Sequence, residues 1–179
     1  MIRSVKRGTM LTTCLVLLAG VVMPLSSVTA QQQPQQGVNV GLSVAPVLFT
    51  KCTDSHVTLC FSSLEQTMQT LEDRDTFTFS IPTAIGYVCY VQEEISVDAV
   101  TLRPCNFTAC FVSTPAQRVI VTYHQTGPTQ VLNYGDTLCV NVGFNTSYCQ
   151  GSAKISLQTR FNNKLTNGAL PFVTASVTR

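Results

Sequence analysis

TLCVNVGF, residues 137–144, sets Leu138, Val140, Val142 and Phe144 on one side of an extended chain and Cys139, Asn141 and Gly143 on the other. Successive side chains of a strand point to opposite faces, so this period of two specifies a strand with one buried face. The cysteine lies on the face turned away from the core. There it is a disulfide partner rather than a buried thiol. Two questions follow: how often the pattern recurs, and which cysteine meets Cys139.

It recurs along most of the chain. Val38, Val40, Leu42 and Val44 share a face, with Pro46 breaking or bending that strand. Val57, Leu59 and Phe61 form a second set, Phe77, Phe79 and Ile81 a third, and Val119, Val121 and Tyr123 a fourth. Ile155, Leu157 and Phe161 follow, and "FVTASV" at 172–177 is placed to close a sheet. "YVCYV" at 87–91 and "ISVDAVTL" at 95–102 read as two strands joined by a hairpin turn at Glu93 and Glu94. Turn residues at 126–128, 134–136 and 166–168 separate many of the runs. In "SLEQTMQTLED", 63–73, Leu64, Met68 and Leu71 have helical spacing behind a Ser63 N-cap, and the segment fits a short helix or an extended crossover equally. The expected fold is all-β: an antiparallel β-sandwich or small barrel of eight or nine short strands, disulfide-stapled, with at most one short helix. The chain has no Trp, so an antibody-type domain is disfavoured.

Outside the strands, residues 1–30 read as a signal peptide. Arg3, Lys6 and Arg7 precede an apolar run, and Val28 and Ala30 mark a cleavage site. The run fits cleavage better than a membrane span, which needs about 20 apolar residues. "QQQPQQG", 31–37, is a polar, flexible tail. Residues 38–179 make a single β domain with no later membrane span. Without the first thirty residues, eight basic residues face nine acidic ones and the net charge is about −1. No basic patch remains, and nucleic acid is excluded as a partner.

Export places the chain in an oxidising compartment: extracellular in a eukaryote, periplasm or cell surface in a bacterium. Seven cysteines follow the signal peptide, an odd number. Pairing neighbours in sequence gives Cys52–Cys60, Cys105–Cys110 and Cys139–Cys149. Cys89 is left over, within the apolar "YVCYV", as a free buried thiol or an intermolecular cysteine. A monomer is expected, with a disulfide dimer as the competing arrangement.

Chemistry-bearing motifs are few. Asn106-Phe107-Thr108 and Asn145-Thr146-Ser147 are N-glycosylation sequons, no more than chance supplies in a chain rich in Ser and Thr. His56 and His124 are the two histidines; both lie near turn residues, where a solvated loop position is expected. No C-x-x-C redox pair, zinc-ligand spacing, nucleophile elbow or phosphate loop is present, so no metal, cofactor or catalytic residue is assigned. These features fit a non-enzymatic module for binding or assembly: an adhesin, a surface or envelope subunit, or a secreted ligand binder, with a protein or glycan partner. The alternative is a small secreted hydrolase, or an inhibitor of one, built on His124 or His56 near an acid.

Overall fold

The computed structural model describes residues 39–146, 151–161, 164–165 and 170–178. The expected signal peptide, the polar tail, Val38 and Cys149 lie outside them. Among the described residues thirteen strands follow one another: β1 (Val40–Ala45), β2 (Leu48–Thr50), β3 (Asp54–Ser63), β4 (Gln69–Thr70), β5 (Thr76–Ser80), β6 (Tyr87–Asp98), β7 (Phe107–Val112), β8 (Arg118–Tyr123), β9 (Val131–Leu132), β10 (Thr137–Asn145), β11 (Gly151–Phe161), β12 (Lys164–Leu165) and β13 (Phe172–Thr178). The one helical turn among the described residues is a 3-10 turn at Pro104–Asn106.

The strands form an antiparallel sandwich, as the alternation requires. One sheet has the order β1-β3-β10-β6 and the other β2-β13-β11-β5-β8-β7, with β12 pairing β11 beside that path. β4 and β9 make a separate two-stranded pair. Among the described residues the exception to antiparallel pairing is β2, which runs parallel to β13. The backbone thus changes sheets between β1 and β2, at the Val47 corner after Pro46. Apolar residues from every predicted set meet between the layers: Leu59, Phe61, Leu138, Val140 and Val142 from one sheet, Phe77, Phe79, Val119, Val121, Tyr123 and Leu157 from the other, all fully buried. Phe61 crosses the interlayer space to Phe77, ring centroids 4.6 Å apart, and Phe49 reaches Phe144 at 5.1 Å.

The structure decides one open alternative, in favour of the crossover, and changes one expectation. No helix forms over 63–73: Leu64 and Met68 are exposed, while Leu71 turns into the core beside β4. The helical spacing is fortuitous, because the segment is a crossover that contributes one buried side chain rather than a stripe. Residues 87–98 form one strand, so Glu93 and Glu94 lie within β6 and not in a hairpin turn. The polar "QEE" falls at an irregularity, where Val140 and Val142 of β10 pair with Ile95 and Val91. The extra residues bulge out of the ladder instead of reversing the chain.

Candidate functional site

Cys139 lies opposite Cys60 in the β3–β10 ladder, and the two form a disulfide across 4.1 Å between Cα atoms. Facing residues of a non-hydrogen-bonded antiparallel pair approach to about this distance. Val57, Leu59 and Phe61 point inward, so Cys60 shares the outer face with Cys139. The expected pairs Cys52–Cys60 and Cys139–Cys149 are thereby replaced. Cys52 sits before β3, and six strand residues carry Cys60 roughly 20 Å onward, well beyond the roughly 7 Å a disulfide spans. Cys105 and Cys110 are not bonded to each other. Cys105 lies in the 3-10 turn and Cys110 three residues into β7, on an extended segment too long to bridge. Cys89, expected to be buried, is exposed.

The reason Cys89 is exposed locates the site. Gly143 pairs with Tyr90 and the next residue, Phe144, pairs with Val88, so Cys89 is the extra residue of a bulge in edge strand β6. A bulge breaks the in-out alternation and re-aims side chains. Here it turns both Cys89 and Tyr90 outward, while Val88 stays buried. The Tyr90 ring occupies the space that a Cβ on Gly143 would need. A larger residue at 143 would displace it. Across the sheet, His56 of β3 faces Gly143 and approaches Tyr90 edge-on, rings 73° apart, with Nδ1 3.3 Å from the phenolic oxygen. Two pairs further along the ladder, the Asn145 amide donates to Asp54 Oδ1 at 2.5 Å, and Tyr87 pairs with Asn145. Asp54, Ser55, His56, Cys89, Tyr90 and Gly143 line an open cleft of about 280 Å³. Tyr90, which lines it, is 51% exposed, and Tyr87, at the start of β6, is 47% exposed.

A buried amide fixes this strand end. Gln117, 5% exposed, accepts from Val88 N–H at 2.9 Å and donates to Gly86 O at 2.9 Å. It precedes β8 of the opposite sheet, so it ties the start of β6 across the sandwich. Gly86 itself has φ +156°, and a Cβ there would strike the Phe144 ring.

His124 lies elsewhere. It follows β8, and its Nε2 is 2.9 Å from Thr108 Oγ1 on edge strand β7. His56 is on a strand rather than in a loop, and the two histidines belong to different sheets. Among the described residues neither ring meets a carboxylate. Of the sequon residues, Asn106 is 3% exposed, with its side-chain oxygen accepting from Thr126 Oγ1 at 2.8 Å. Asn145 is half-buried on the outer face. The sequence singles out His56, Cys89 and Asn145 separately and does not reveal that they converge. Tyr90 and Gln117 are site residues that sequence reasoning misses. For Gln117 no signal exists, whereas the lack of Gly, Pro or Asn between Val91 and Ile95 argues for one bulged strand.

No protein-family model and no curated protein matches the chain. The fold is similar to that of solved structures. A cohesin module from a Clostridium perfringens family 33 glycoside hydrolase matches with a TM-score of 0.50 and 10% identity, over 79% of this chain and 97% of that one. The full-length major pilin SpaD from Corynebacterium diphtheriae matches with a TM-score of 0.51 and 13% identity, over 78% of this chain and 35% of that one. At such identities the likeness is one of fold.

Proposed function

We propose that this protein is an exported, non-enzymatic binding or assembly module, and that the outer face around Tyr90 docks a protein partner. The observation that carries this reading is the bulge at Cys89, which turns half-exposed Tyr90 out beside His56 on a buttressed strand end, with Tyr87, Asp54 and Asn145 at the same end of the sheet. Tyrosine contributes large contact area with little side-chain entropy to lose, and it is enriched among residues that dominate binding energy. The Cys60–Cys139 disulfide supports an oxidising, extracytoplasmic location, as do the signal-peptide features of residues 1–30. A cohesin module and a major pilin share the sandwich, which suits a module of this kind. Asp54, His56 and Cys89 line one cleft, the feature a hydrolase alternative would use, but His56 Nδ1 approaches the Tyr90 hydroxyl and its ring meets no carboxylate among the described residues, which favours docking over a base held by an acid.

The test is affinity capture from the native source with the wild-type protein and with Tyr90→Ala. A protein retained by the wild type should bind the variant about 30-fold more weakly, corresponding to the roughly 2 kcal/mol of an aromatic hot spot. The unfolding midpoint should be unchanged. Equal retention by both proteins overturns the docking face. Ester or peptide turnover abolished by His56→Ala or His124→Ala overturns the non-enzymatic reading.

A further inference from the structure

The opposite end of β6 carries a different site. The segment after that strand faces the segment before β9, and two hydrogen bonds join them: Thr101 Oγ1 donates to Val131 O at 2.6 Å, and Arg103 N–H donates to Gln130 Oε1 at 3.1 Å. Between them lies a cleft of about 260 Å³ lined by Val100, Thr101, Arg103, Pro128, Thr129 and Gln130. Gln130 is 4% exposed. Its oxygen is taken by Arg103 N–H, and its amide nitrogen meets no acceptor among the described residues. That nitrogen is not among the sealed, unpartnered groups of the interior, so it opens to the cleft and is available to a ligand there. The Thr129 hydroxyl also lacks a partner among the described residues. The Arg103 side chain is exposed and in no ion pair there, the described pair being Arg74–Asp73. No Asp or Glu lines the cleft.

The open groups are therefore all able to donate, and they carry one positive charge. That set suits a monoanion with two planar acceptor oxygens. A guanidinium presents a fork that matches a carboxylate, and the Gln130 amide and Thr129 hydroxyl can take the remaining lone pairs. A cation is repelled, and a phosphate dianion would keep an uncompensated charge. Val100, 95% exposed, and Pro128 give the rim apolar surface for the polypeptide that bears the anion. We infer that this cleft binds a carboxylate of a protein partner, from an acidic side chain or from the partner's C-terminus. The site does not depend on the Tyr90 face.

The experiment is an NMR titration of the full, ¹⁵N-labelled protein that follows the Arg103 Nε–H and Gln130 side-chain NH₂ signals. Four probes are added at ionic strength held constant with sodium chloride: acetyl-glycyl-glycine, its C-terminal amide, acetyl-aspartate N-methylamide, and glucuronate. Saturable shifts at both signals with either peptide carboxylate, and none with the amide, are expected; which carboxylate binds tighter separates C-terminus from side chain. Arg103→Gln should weaken that binding at least about tenfold, since it removes the charge-assisted fork. Gln130→Glu keeps the acceptor for Arg103 N–H and replaces the open donor with a negative charge, so it should abolish saturation. Shifts as large with the amide, saturation by glucuronate alone, linear shifts spread over all basic side chains, or an unaltered affinity in Arg103→Gln would each overturn the proposal.

Discussion

Two glycines show how the same added atom can matter to stability at one position and to function at another. A Cβ at Gly86 would strike the Phe144 ring, which is 2% exposed and packed against Phe49, so it has nowhere to go. The backbone there also has φ +156°, a region side chains avoid. Gly86→Ala should therefore cost about 3 kcal/mol, the upper range for overpacking a core, read as a drop in the urea midpoint. A Cβ at Gly143 would instead displace Tyr90, a half-exposed ring with room to swing into solvent. Gly143→Ala should cost under about 1 kcal/mol of stability and still impair partner binding. Equal destabilisation by the two would show that the Tyr90 ring is locked. Cys89 gives a third residue-scale expectation. It is exposed, and its sulfur meets Tyr87 O at 3.7 Å. A thiol reagent should label it in the native protein, and labelling only after unfolding would contradict the bulge.

At the scale of elements, the pairing of β3 with β10 organises its sheet, and the disulfide locks it. Cys60 and Cys139 are 79 residues apart, so the bond closes a long loop. Chain entropy gives about 4.5 kcal/mol for a loop of that length. The double variant Cys60→Ala/Cys139→Ala should lose about that much in chemical denaturation while keeping its β spectrum, because the ladder and the Leu59–Leu138–Val140 core remain. A loss below about 1 kcal/mol would mean that the unfolded state is already constrained there. The sequence holds the information for this bond. Cys60 and Cys139 share a parity, each opposite an apolar face, whereas nearness in sequence favours Cys52 and Cys149. What no single strand reveals is which strand lies next to which, and that decides the pairing. The strands themselves are legible because one-sided burial imposes period two. The bulge is not, since an inserted residue erases the period where it occurs, and the site sits on that irregularity.

Across the whole molecule the two sheets meet through apolar side chains, and Gln117 adds a polar tie between them. Its amide serves Val88 N–H, Gly86 O and, more distantly, Ile81 O at 3.4 Å. The first two of these backbone groups are buried where β6 begins, beside the re-aimed Cys89 and Tyr90, and Ile81 follows β5 of the other sheet. Burying them without partners is costly, and the cost falls on the strand end that forms the candidate site. Stability and function are coupled at this point: the core holds the sandwich, and the tie holds the docking strand in register with it. Gln117→Ala should lower stability by about 3 kcal/mol, as two or more buried groups are left unsatisfied. Gln117→Met restores most of the volume but no hydrogen bond, so it should not recover that loss. Amide exchange should distinguish the tie from general packing. In both variants Val88 should exchange much faster than Leu59 or Val140, whose protection depends on the β3–β10–β6 ladder. Uniform acceleration across those three amides would instead assign Gln117 to the core as filler, and would leave the geometry of Tyr90 to the bulge alone.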